Sequence, residues 1–80
     1  MTTLHQRFAR ALRDARESTG LTQEALAASA GIDRVFLSGM ERGLHLPTLA
    51  VFFRLAGACG LTPGEFADRI GRKRRIGRVA

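Results

Sequence analysis

The chain has a single cysteine, Cys59, so no internal disulfide can form and a reducing compartment is expected. Long hydrophobic runs are missing too. The longest apolar stretch is broken by Arg54 and is too short to span a bilayer. The opening residues, MTTLHQRFAR, lack the apolar segment of a signal peptide. These absences predict a soluble, cytoplasmic protein with no membrane partner. No alternating strand pattern, internal repeat or interdomain linker occurs. No Ser/His/Asp set, phosphate-binding glycine loop or carboxylate pair in an apolar setting stands out, so no enzyme activity is expected. His5 and His45 stand apart from other ligand-type residues, and neither a metal nor any other cofactor is predicted. No segment reads as a domain for a small-molecule ligand.

What is present is a small basic globular domain. Eighty residues lie near the lower size at which a core holds unaided, and a hydrophobic fraction of 45% is that of a folded chain. The net charge of +6 is unevenly spread. Arg72, Lys73, Arg74, Arg75 and Arg78 cluster near the end with no acid among them, and the rest is close to neutral. We divide the chain into a domain, 1–71, and a basic tail, 72–80. Such a tail can touch DNA phosphates, keep the protein soluble, or meet a membrane surface, and composition alone leaves all three open.

Hydrophobic spacing predicts five helices and an all-α fold. Leu4, Phe8, Ala11, Leu12 and Ala15 mark a first helix over about 4–18, ended by Gly20. Thr22 caps a second, about 22–29, with Leu26, Ala27 and Ala30 inward. Gly31 then supplies a turn. Asp33 caps a third helix, about 33–41, with Leu37 and Met40 inward, Arg34, Val35, Ser38 and Gly39 outward, and Gly43 as its stop. A fourth, about 48–59, has Arg54 as its single long polar side chain. Leu49, Phe52, Phe53, Ala56 and Cys59 share one face of it, and the other faces are apolar or small as well. A helix apolar nearly all round needs a second burying surface, either a further subunit or the last helix with the tail. We expect a homodimer, with Val51, Phe53, Arg54, Leu55 and Ala58 at its interface. Cys59 reads as a small buried hydrophobe, and Phe52 and Phe53 as core and interface residues, not a platform for single-stranded bases. Thr62, Pro63 and Glu65 form a capping box with proline at the first helical position, and open a fifth helix with Phe66 and Ile70 inward.

Taken in order, GLTQEALAASAG, IDRVFLSGMERG, LPTL and GLTPGEF resemble the Cro/C1-type helix-turn-helix regulators of bacteria and phages, a lambda-repressor-like fold. The likeness runs from about Phe8 to Phe66. DRVFLSGMERG also resembles restriction–modification controller proteins and similar small autoregulators of mobile elements. The resemblance implies a homodimeric transcriptional regulator on a pseudo-palindromic double-stranded operator, with the third helix in the major groove. It implies base reading by Arg34 and Val35, with Ser38 one turn further along the same face. Gln23, Arg42 and His45 would meet phosphates, as would Arg72, Lys73, Arg74 and Arg75 of the tail. Arg16 and Glu41 would form a structural ion pair.

The chemistry of the side chains agrees. An arginine early in a groove-inserted helix can reach guanine O6 and N7 together, worth about 1–3 kcal/mol of discrimination. Val35 can only touch a thymine methyl or exclude other bases, and Ser38 donates or accepts. Gln23 positions without specifying sequence. Gly39 departs from the family pattern, where a long side chain is common; it reads as a missing reader that lets the backbone approach closely. The loop Leu44-His45-Leu46 is less basic than in many relatives, for which the tail would compensate. Glu24 is a candidate for contact with RNA polymerase, and either repression or activation fits the sequence. The alternative is an antitoxin that binds a partner protein and autoregulates its operon.

Overall fold

A side chain closes the start of every helix by accepting a backbone N–H that would otherwise go unpaired. A computed structural model describes residues 2–71, arranged as five helices. They are α1 (Leu4–Ser18), α2 (Gln23–Ala30), α3 (Arg34–Glu41), α4 (Leu49–Ala58) and α5 (Pro63–Gly71), with no strand among the described residues. Thr22 Oγ1 accepts from the Ala25 amide at 3.0 Å and Thr48 Oγ1 from the Val51 amide at 3.2 Å. Asp33 accepts from the Val35 amide at 3.2 Å. Thr62 and Glu65 make the expected reciprocal box, at 2.9 and 3.0 Å. A second box, Thr3 with Gln6, opens α1 on a Thr-x-x-Gln signature in the sequence. The bounds of the first four helices fall within one residue of those expected from the sequence.

α1 packs against α3 and α5, α2 against α3 and α4, and α4 against α5. Phe8, Leu12, Leu26, Leu37, Met40, Leu55 and Phe66 are fully buried at the centre. Burying one such side chain is worth about 1.5–3 kcal/mol. Phe8, Phe52 and Phe66 join α1, α4 and α5 through their rings: Phe52 stacks on Phe66 at 4.9 Å, and Phe8 meets Phe66 at 5.8 Å.

The fourth helix is rotated from its expected setting. Leu55, assigned above to a subunit interface, lies wholly in the core with Ala56 and Cys59. Val51 and Ala58, also assigned there, are half-buried against that core. Leu49 and Phe53, expected on the same buried face as Ala56, are 72% and 53% exposed. A helix apolar on nearly every side carries no hydrophobic phase, so periodicity could not set its rotation. Arg54 contributes to setting it: its Nε donates to the Ala30 carbonyl at 2.8 Å, closing an acceptor left open at the end of α2. Burial pushes the Cys59 thiol above its ordinary pKa, as expected of a small buried hydrophobe.

Candidate nucleic-acid interface

Three residues separate α2 from α3, and the first of them makes the turn. Gly31 has φ of 70°, in the left-handed region that glycine enters without a steric penalty. Its amide donates to the Ala28 carbonyl and the Ile32 amide to that of Ala27, which stops α2. Ile32 then packs against the core, and Asp33 begins α3. The sequence GIDR thus ends one helix, anchors the turn and starts the next.

α3 is held from behind and open in front. Leu37 and Met40 fix its rear to the core. Its last residue, Glu41, is only 5% exposed and accepts from Arg16 of α1: Nε to Oε2 at 2.6 Å and Nη2 to Oε1 at 3.0 Å. This two-pronged geometry is the strong form of a charge-assisted bond. It pushes the Arg16 guanidinium above its ordinary pKa, chiefly through the hydrogen bond to Glu41. Arg16 Nη1 also donates to the Leu21 carbonyl at 2.9 Å, so the pair ties α1, the α1–α2 turn and α3 together.

Gln23 joins this cluster, which the sequence did not reveal: its Nε2 donates to Glu41 Oε1 at 3.1 Å. An amide nitrogen carries two hydrogens, so the second remains available to an anion at the start of α2.

At the front, Arg34 and Val35 project from the first turn of α3. Val35 is 63% exposed, and Ser38, one turn on, is half-buried. Arg34 Nε lies 3.7 Å from Glu24 Oε2 on α2, a loose pair on open surface. Glu24, considered above as a polymerase contact, is thus beside the arginine.

Gly39 does not face open space. It is buried, and a Cβ placed there would stand 2.5 Å from His45 Cδ2. The chain after α3 doubles back, with the Leu44 amide donating to the Gly39 carbonyl at 2.9 Å. His45 rests over the glycine, its ring 5.7 Å from that of Phe36. The expectation of an empty place on the outer face is therefore corrected: the imidazole fills it. Arg42 follows α3 as its C-cap, with an exposed side chain. Arg72, Lys73, Arg74 and Arg75 lie outside the described residues. Among the described residues no group of His, Cys, Asp and Glu is gathered as metal ligands are, and no helix is long and apolar enough to cross a membrane.

Gln23 thus stands at the start of α2, Arg34, Val35 and Ser38 on α3, and Arg42 and His45 in the chain that follows it. A family model described as a helix-turn-helix domain matches residues 7–74. A curated relative, the uncharacterized HTH-type transcriptional regulator y4dJ of Sinorhizobium fredii, is 40% identical over 50 residues, 62% of this chain and 65% of that protein. The chain therefore spans somewhat less than two thirds of that relative's length. Among solved structures, the restriction–modification controller protein C.AhdI from Aeromonas hydrophila superposes with a TM-score of 0.74 at 37% identity, covering 78% of this chain and 94% of that one. The hypothetical transcription factor NHTF from Neisseria superposes equally, with a TM-score of 0.74 at 30% identity, covering 80% of this chain and 74% of its own.

Proposed function

We propose, from the premise that this chain belongs to the helix-turn-helix domain family, that it is a sequence-specific double-stranded DNA-binding transcriptional regulator. The observation that carries this reading is α3 itself. Its rear is locked to the core and to Arg16, while its first turn presents Arg34 and Val35 to solvent. A recognition helix needs both properties, because base edges are read only by side chains held in register with the groove. The names of the relatives, transcriptional regulators and a controller protein among them, support the same reading.

Arg34 pairs with guanine, Val35 touches a thymine methyl, and Ser38 adds a tolerant contact. Gln23, Arg42 and His45 hold phosphates on either side of the groove. Arg72, Lys73, Arg74 and Arg75 add phosphate contacts that raise affinity without selecting sequence. The protein acts as a homodimer through Leu49, Ala50 and Phe53, an apolar surface on α4 that a second copy would cover. Two-fold symmetry then sets half-sites about 34 Å apart on a pseudo-palindromic operator. Its own promoter is the operator we expect.

Selection from a randomised duplex pool, followed by footprinting upstream of the gene, tests this reading. An inverted repeat should be enriched and protected, and Arg34→Ala should lose the preference. Failure to enrich any sequence rejects sequence-specific binding. Sedimentation tests the dimer: Phe53→Glu should sediment as a monomer where the native chain does not, and a native monomer at the DNA-binding concentration rejects it.

A further inference from the structure

The first turns of α1 and the end of α3 enclose an open cleft of about 260 Å³. Gln6, Arg10 and Arg13 line it from α1, at positions that share one helix face. Arg42 and Gly43 line it from the end of α3. Arg10, Arg13 and Arg42 are exposed, and none makes an ion pair among the described residues. Glu41 is the carboxylate at the cleft, and both its oxygens are already taken by Arg16. Three guanidinium groups therefore line one cleft whose one lining carboxylate is already paired, while Asp14 and Glu17, one turn on from Arg10 and Arg13, lie outside that lining. The first turn of α1 carries no acid either.

We propose that Arg10, Arg13 and Arg42 form a binding site for a backbone phosphate of duplex DNA lying beyond the bases that α3 reads. The inference rests on the DNA-binding reading above and extends its footprint. Phosphate suits the cleft because guanidinium forks bind its oxygens in pairs, and because an anion relieves the mutual repulsion of three cations. The position suits a flanking phosphate because Arg42 follows α3 directly, while Arg10 and Arg13 sit behind it on α1. The contact carries no sequence information, so it lengthens the site without changing its preferred bases.

The test uses a duplex enriched by the native chain, titrated with the native chain and with R10Q/R13Q across a range of KCl. Each phosphate contact contributes about 0.9 to the slope of log K against log salt. The double variant should lose up to about 0.9 per subunit from that slope and bind several-fold more weakly, with its ranking of single-base variants unchanged. Methylphosphonates placed one by one in the flanks locate the contact: one flanking substitution should weaken the native chain and leave R10Q/R13Q unaffected. Melting of the double variant should match the native chain, because both side chains lie on the surface. An unchanged slope, or equal sensitivity of both proteins at every flanking position, overturns the site while leaving α3 as reader intact. Failure of the native chain to enrich any duplex removes the DNA-binding reading and this site with it.

Discussion

His45 lies on the backbone of Gly39. An added Cβ would come within 2.5 Å of its ring, so the imidazole can rest there only because that position has no side chain. The Leu44 amide bonded to the Gly39 carbonyl at 2.9 Å holds the same fold-back from the main chain. The glycine thereby leaves room for the imidazole over α3, beside Phe36.

Gly39→Ala should consequently separate binding from stability. Alanine in a helix is favoured over glycine by about 0.5–1 kcal/mol. The obstructing group is the end of a flexible side chain, which can swing away at little cost. Melting should stay level or rise slightly, while affinity for an enriched duplex falls several-fold. In a His45→Ala background the same substitution should leave affinity unchanged. Equal affinity of Gly39→Ala and the native chain removes the interlock as a determinant of binding.

Arg16 and Glu41 predict a different outcome. Glu41→Ala leaves the half-buried Arg16 guanidinium without its carboxylate and the Gln23 amide without its acceptor. Losing one partner of such a pair costs about 3–5 kcal/mol. Some water still reaches Arg16, which favours the lower end. A domain of this size has little stability in reserve. Thermal melting should fall steeply, with Glu41→Gln falling less because an amide oxygen still accepts one bond. An unchanged melting temperature for Glu41→Ala refutes the structural role.

Where sequence was sufficient and where it was not follows from the range of each interaction. Thr22, Asp33 and the Thr62-Pro63-Glu65 box act within four residues, so the helix starts were legible. The inward set of α3, Leu37 and Met40, was legible because polar neighbours alternate with it. The rotation of α4 was not, since its apolar residues surround the axis and Arg54 reaches a carbonyl 24 residues away. Nor was the place of His45, since Gly43 marks where α3 stops but not where the side chains after it come to rest. The candidate interface divides along the same line: Arg34 and Val35 follow from a cap and a helix start, whereas Gln23 at Glu41 and His45 over Gly39 exist only in three dimensions.

Cys59 makes the stability of the domain sensitive to alkali. Burial raises its thiol above the ordinary value of 9.0. The unfolded chain therefore gives up this proton at a pH where the folded one retains it. Stability from this group is complete below about pH 9 and declines as pH rises through the folded value. The chain has no tyrosine, and Lys73 is its one lysine, outside the described residues, so few other groups titrate there. Melting temperature should drop as pH rises above about 9, and Cys59→Ala should flatten the drop at some cost to packing. Parallel curves for both proteins exclude the thiol as the cause.

Glu24 competes with any base or phosphate for Arg34. The two stand 3.7 Å apart on open surface, with side chains 47% and 74% exposed. Such pairs contribute about 0–1 kcal/mol, too little to hold an arginine away from guanine, yet enough to oppose it. Glu24 also brings negative charge toward the phosphates. Glu24→Gln should therefore tighten binding up to several-fold, with a larger gain at low salt because the effect is electrostatic. The preferred sequence should stay the same, because the reader is unchanged. Weaker binding by Glu24→Gln would instead mean that Glu24 orients Arg34 for its base, and titration of an enriched duplex at two salt concentrations decides between the two.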